Sequence, residues 1–248
     1  MNRRRLLSLA GVAAAGGLSA CAKANQDSAN GKSKETQPGS TGTATGATRP
    51  STPAEALKRL KAGNRRWVAD NPVHPDQDHF RRSSLAKEQH PFAAIFTCID
   101  SRVPMELVFD EGLGDLFGIR TAAQTLDDLV LGSLQYGPLE SGTPLIVVVG
   151  HERCGAVTAA VEAYEDASKE VPGGIGSIVT ALRPAYEEAV KKSIRDKDAL
   201  IDTVVRAHTR LTVRTLRRDA HLSPLLAAGR LDIVGAYYSL DTGAVSFG

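Results

Sequence analysis

The chain has 248 residues, 42% of them hydrophobic and 23% charged, with a formal net charge of +2. Those proportions suit a folded domain and exclude a fibrous or wholly disordered protein. Arg3, Arg4 and Arg5 carry more than the whole excess and leave −1 without them, so no global charge draws the chain to nucleic acid.

The first 21 residues, MNRRRLLSLAGVAAAGGLSAC, join a basic start to an apolar run that ends in Leu18-Ser19-Ala20-Cys21. This is the pattern of a secretory signal with lipoprotein cleavage, too short and too rich in glycine and alanine for a spanning helix. Arg3-Arg4 also resembles a twin-arginine export signal. The expectation is an exported, extracytoplasmic protein anchored to the membrane by a lipid on Cys21, which removes that thiol from metal or disulfide chemistry. Residues 22 to 52 contain no aromatic and no large aliphatic side chain. They read as a flexible tether, unable to bury enough apolar surface to fold, with the folded domain spanning 53 to 248.

Thr52-Pro53-Ala54-Glu55 predicts a helix start, with Thr52 as N-cap, Pro53 in first position and Glu55 completing a capping box. Leu57, Leu60, Trp67 and Val68 continue it at helical spacing to about Asp70, and the polar, proline-containing stretch 71 to 82 reads as irregular. Phe92 to Phe96 (FAAIF) and Leu145 to Val149 (LIVVV) are apolar runs of strand length, as expected of parallel strands covered on both faces. Between them come a short helix near Met105 to Phe109, a strand near Leu116 to Arg120 and a helix from Leu126 to Tyr136. Helices follow at 156 to 167, at 175 to 192 with a break or kink at Pro184, and at 199 to 218. A strand from Leu231 to Tyr237 is expected to pair with Ala244 to Phe247 across the turn Asp241-Thr242-Gly243. The fold class is α/β: a mainly parallel central sheet flanked by helices, with a C-terminal antiparallel hairpin strand.

With Cys21 set aside, Cys98 and Cys154 are the only cysteines. Each follows closely on a predicted strand with other polar groups nearby: Cys98-x-Asp100-x-Arg102, and His151-x-x-Cys154. If the two strands are parallel neighbours, both groups fall on the carboxyl rim of the sheet, where ligands bind in such folds. Two thiolates, an imidazole and a carboxylate suit a tetrahedral zinc ion, and a bidentate pair with Arg102 would give Asp100 the choice of ligating the metal or standing off it. Spacing alone leaves open a catalytic zinc site, a closed structural one, a disulfide and a Cys/His nucleophile pair. The histidines at 74, 79, 90, 208 and 221 carry no ligand spacing. Arg206, Arg210, Arg214, Arg217 and Arg218 recur at helical spacing and read as a solvated face with acidic partners at a subunit interface.

The motifs C-I-D-S-R-V-P (98 to 104) and G-H-E-R-C-G-A-V (150 to 157) resemble those of the β-class carbonic anhydrases. So do PAEALKRLKAGNRRW, DEGLGDLFGIR, LDDLVLGSLQYG and GRLDIVGAYYSLDTG, in the same order along the chain. The resemblance implies a zinc lyase that interconverts carbon dioxide and bicarbonate, with one Zn2+ per subunit on Cys98, His151 and Cys154. Asp100 would be either fourth ligand or catalytic partner of Arg102, and a zinc-bound hydroxide would attack carbon dioxide. Gln89, Phe117 and Tyr136 match the substrate pocket of the constitutively open subtype, and Ile95 stands where an allosteric subtype has tryptophan. The family forms homodimers or larger homo-oligomers with sites near the interface, built from both chains. One departure stands out: the family reads R-x-A-G-N where this chain has Arg120-Thr121-Ala122-Ala123-Gln124, which admits a carbon disulfide-type hydrolase or a catalytically silent, membrane-tethered zinc-binding protein as alternatives.

Overall fold

The structure is a computed structural model that describes residues 48–166 and 168–248. The signal sequence, Cys21 and the tether up to residue 47 lie outside the described residues. Arg49, within the stretch read as tether, is tied to the domain by hydrogen bonds to the carbonyls of His90 (2.8 Å) and Pro91 (2.9 Å).

The first helix, α1 (Pro53–Val68), begins with the expected capping box. Glu55 N donates to Thr52 Oγ1 and the Glu55 carboxylate accepts from Thr52 N, so each residue satisfies an amide the helix leaves free. The stretch read as irregular contains a short helix, α2 (His79–Ser84), capped by Asp78. Its few apolar residues gave no periodic signal, and the cap supplies the nucleation. Then follow β1 (Ala93–Cys98), α3 (Met105–Val108), β2 (Leu116–Thr121), a 3-10 turn at Ala122–Gln124, α4 (Asp128–Glu140) and β3 (Leu145–His151). The remainder is α5 (Gly155–Glu165), α6 (Ile175–Val190), α7 (Lys197–Arg217), α8 (Ser223–Ala227), β4 (Asp232–Tyr238) and β5 (Val245–Phe247). Of the break or kink expected at Pro184, the break does not occur: α6 continues through it. The carbonyl its ring deprives of a partner belongs to exposed Thr180, where water can take the place of the missing N–H.

The five strands lie in the order β2-β1-β3-β4-β5. β1 pairs in parallel with β2 and β3, β3 pairs in parallel with β4, and β5 closes the sheet antiparallel to β4. Every residue of β1 and β3 is buried, because alternate side chains feed two different cores. Ile95, Val147 and Val149 pack on one face, while Ala94, Phe96, Ile146 and Val148 pack on the other beneath α4, α8 and the end of α7. Each buried Val, Ile or Phe of this set contributes about 1.5 to 3 kcal/mol, so β1 and β3 are firmly anchored on both faces. Cys98 is the last residue of β1 and His151 the last of β3.

Candidate metal centre

β1 and β3 are parallel and in register from Ala94↔Ile146 to Thr97↔Val149, so both strands deliver their ends to the same rim. Cys98 leaves β1 there, His151 leaves β3, and Cys154 follows three residues later as the N-cap of α5. One ligand atom from each of these three residues lies within 4.8 Å of the others, and all three side chains are buried.

The donor set fits zinc on three counts. The two sulfurs stand 3.9 Å apart, close to the roughly 3.8 Å between two sulfurs each about 2.3 Å from one tetrahedral ion. Nδ1 of His151 lies 3.0 Å from the carbonyl of Glu152, which fixes the tautomer with hydrogen on Nδ1 and leaves Nε2 bare for a metal. That Nε2 is buried and has no hydrogen-bond partner, an arrangement costly without a metal or other partner. The contact between the thiols holds that of Cys98 well below the ordinary thiol range. The same contact, then burial, pushes that of Cys154 up.

Asp100 completes the ring of polar groups. Its Oδ2 is 4.0 Å from His151 Nε2, yet the carboxylate is turned onto Arg102, whose guanidinium donates to both oxygens. That hydrogen-bonded pair, foremost among its contacts, lowers the Asp100 carboxyl to about 2. A closed four-residue structural site would need Asp100 to turn from Arg102 onto the metal.

Sequence reasoning missed the parts that hold the rim in shape. Arg120, at the end of β2, donates from Nε to the carbonyl of Cys98 at 2.8 Å and from Nη2 to that of Asp100 at 2.5 Å. Ala123 N–H donates to Cys98 Sγ at 3.2 Å. The Glu152 carboxylate ties the β3 end to the β4–β5 turn through Ser239 Oγ and Leu240 N. Arg120 is the arginine that opens the family pattern R-x-A-G-N and closes the motif DEGLGDLFGIR, a signal of family but not of its role.

The three pocket residues lie elsewhere in the single chain. Phe117 is opposite Ala94 on β1, four residues before Cys98 and so roughly 13 Å along the strand from it. It meets Tyr136 of α4 edge to face, with ring centroids 6.1 Å apart, in a shallow hollow that also includes Leu129 and Gly132. Gln89 lines a different hollow with Leu85 and Leu113. Neither hollow is lined by Cys98, His151 or Cys154.

The arginines of α7 have acidic partners within the same chain: Arg206 on Asp202, Arg210 and Arg214 on Glu188, and Arg217 on Asp232. No subunit interface is needed to neutralise them.

A mainly parallel sheet layered between helices, with a Cys-His-Cys group and an adjacent carboxylate on its carboxyl rim, defines a metalloenzyme of the zinc type. The family model described as carbonic anhydrase matches residues 93–245. The chain is 44% identical over 193 residues to carbonic anhydrase 2 of Mycobacterium tuberculosis, covering 77% of this chain and 90% of that one. It is 42% identical over 197 residues to the carbonic anhydrase of Mycolicibacterium smegmatis, covering 79% and 93%. A tetrameric β-carbonic anhydrase of the ascomycete Sordaria macrospora shares the fold with a TM-score of 0.62 at 20% identity, covering 78% of this chain and 95% of that one. The chain belongs to the β-class carbonic anhydrase family.

Proposed function

We propose that this enzyme catalyses the reversible hydration of carbon dioxide to bicarbonate and a proton, using one zinc ion per chain held by Cys98, His151 and Cys154. The observation that carries the reading is three buried ligand atoms within 4.8 Å, with the neighbouring carboxylate of Asp100 held off by Arg102. Zinc, when bound, supplies the Lewis acidity that makes hydroxide available near neutral pH. Asp100, ionised at every working pH, is placed to accept the hydrogen of the attacking oxygen and so direct its lone pair at the carbon of carbon dioxide. Arg102 orients that carboxylate and would hold it off a bound metal. Arg120 fixes the loop between Cys98 and Asp100 through its two carbonyls.

The reading includes a homodimer or larger homo-oligomer in which Gln89, Phe117 and Tyr136 of one copy serve the metal centre of another. The absence of Cys98, His151 and Cys154 from the hollows they line supports it, as does the exposure of Leu129, Tyr136 and Leu139 on α4 beside edge strand β2. The lipid anchor at Cys21 and an extracytoplasmic location rest on the N-terminal sequence, with the domain proper beginning at residue 53. Among the described residues no helix is long and apolar enough to cross a membrane.

Stopped-flow carbon dioxide hydration, with zinc content and sedimentation mass on the same sample, tests the reading. One zinc per chain in a dimer or larger assembly, with fast hydration that Asp100→Ala abolishes, is the expected result. One zinc per chain with no hydration at neutral to alkaline pH would overturn it and direct assay to carbon disulfide.

A further inference from the structure

Two consecutive residues with side chains occupy the left-handed backbone region beside the metal ligands, Ala123 at φ 53° and Gln124 at φ 45°. Each costs on the order of 1 kcal/mol or more relative to ordinary backbone, and such a conformation persists only where its surroundings impose it. Its product is the N–H of Ala123 directed at Cys98 Sγ, 3.2 Å away.

The constraint comes from α7, which supplies no ligand. Gln124 Nε2 donates to Thr209 Oγ1 at 3.2 Å, and that hydroxyl donates in turn to the carbonyl of Val205 at 2.9 Å. His208 Nε2 stands 3.3 Å from the backbone carbonyl of Gln124, a donor in the tautomer with hydrogen on Nε2. Adjacent residues of α7 thus grip Gln124 by side chain and by backbone. All three residues are buried, so water does not compete for these bonds. The approach of α7 depends on Gly150, the residue before His151: a Cβ there would lie 2.5 Å from Thr209 Oγ1.

We propose that Thr209 and His208 are positioning residues for the metal centre, acting through Gln124 to hold the left-handed turn that aims Ala123 N–H at the Cys98 sulfur. The inference rests on the zinc reading of that centre. A hydrogen bond to a thiolate withdraws charge from sulfur and fixes the direction of its remaining lone pairs. Loss of an outer-shell contact of this kind lowers metal affinity about 10- to 100-fold. It also makes the thiolate easier to oxidise, which moves a thiolate-to-cobalt charge-transfer band to longer wavelength.

The test uses the full-length protein with Thr209→Val, Gln124→Met and, as rescue, Thr209→Ser. Zinc affinity is read by competition with a chromophoric chelator, and the charge-transfer band in the cobalt-substituted protein. Thr209→Val and Gln124→Met should each weaken zinc about tenfold and shift the band to longer wavelength. Their double variant should be no worse than either single change, because both remove one contact. Thr209→Ser should keep wild-type affinity and spectrum. Wild-type affinity and superimposable cobalt spectra in Thr209→Val and Gln124→Met would overturn the proposal, as would a Thr209→Ser that fails as badly as Thr209→Val. If only one of the two variants folds, it decides. If neither folds, the two residues serve the fold and the proposal is overturned. A wild type that takes up neither metal would sink the zinc reading and this inference with it, an outcome distinct from metal uptake that the variants leave unchanged.

Discussion

Arg102 takes both carboxylate oxygens of Asp100 at once, Nε on Oδ1 at 2.9 Å and Nη2 on Oδ2 at 2.8 Å, while that Oδ2 stands 4.0 Å from Nε2 of His151. The carboxylate therefore sits between a guanidinium that holds it and a metal position that would take it. The Arg102 side chain is half exposed, and an ion pair of that kind adds little to stability. Its effect is on where Asp100 points.

Arg102→Ala removes the competitor, so Asp100 should swing to the metal position. Carbon dioxide hydration should fall at least tenfold, since positioned proton acceptors contribute roughly 100- to 10,000-fold. Zinc content should stay at one per chain, and the cobalt-substituted absorption spectrum should change as a carboxylate enters. Full activity in Arg102→Ala would show that the clamp has no part in the reaction.

Metal removal should expose a redox liability. Cys98 and Cys154 keep their sulfurs 3.9 Å apart, and a disulfide at about 2.05 Å needs only a local approach of the two. Chelator-treated protein left in air should lose two hydrogens by mass spectrometry, dioxygen being the oxidant, and should fail to rebind zinc until reduced. Zinc-loaded protein should keep both thiols. Free thiols after prolonged aeration of the stripped protein would mean that the backbone does not permit the bond.

Glu111 gives a pH dependence unconnected with catalysis. Its side chain is 1% exposed, and burial, outweighing the pull of Arg59, raises its carboxyl to about 7 from an ordinary 4.5. Between those pH values the folded chain holds a proton that the unfolded chain releases. This contribution to stability is complete below pH 4.5 and is lost as pH rises through 7, at most roughly 3 kcal/mol. Urea unfolding of the wild type and Glu111→Gln across that range isolates Glu111 together with Asp115, which shares Arg59 with it, since buried His208 and the other remote titrating groups cancel in the difference. A stability difference that does not vary with pH would place the Glu111 proton elsewhere.

Much of this was legible because it is written locally. The runs FAAIF and LIVVV show both-face burial without any knowledge of what covers them, and the α1 cap lies within four residues. The grouping of Cys98 and His151 on one rim could be read because each ends an apolar strand, whereas the choice of zinc over a disulfide or a nucleophile pair came from the family motifs. The hold on Gln124 was not legible, since Thr209 lies 85 positions away and nothing in a helical repeat marks which threonine faces a turn. The left-handed pair was legible only through the family pattern, which has glycine and asparagine where this chain has Ala123 and Gln124 and so marks a place of unusual backbone freedom; alanine and glutamine themselves carry no turn signal, and tertiary contacts impose their backbone. Arg206 to Arg217 read correctly as a paired charged face, but spacing could not show that Glu188 and Asp232 of the same chain complete it.

Gly150→Ala tests how far the rim depends on the approach of α7. A methyl group there would meet Thr209 Oγ1 at 2.5 Å and Val205 Cγ1 at 2.8 Å. The helix would have to move outward, at a cost of about 1 to 3 kcal/mol for forced repacking, and Thr209 would retreat from Gln124. Gly176→Ala is the control. It lies in the first turn of α6, and a Cβ there meets nothing within 4 Å, so the change should stabilise the protein by up to about 1 kcal/mol through helix propensity alone. Thermal unfolding should order the proteins as Gly176→Ala above wild type above Gly150→Ala, and zinc affinity should fall only in Gly150→Ala. If Gly150→Ala unfolds earlier yet keeps wild-type zinc affinity, the contact between α7 and β3 supports the fold without shaping the metal centre.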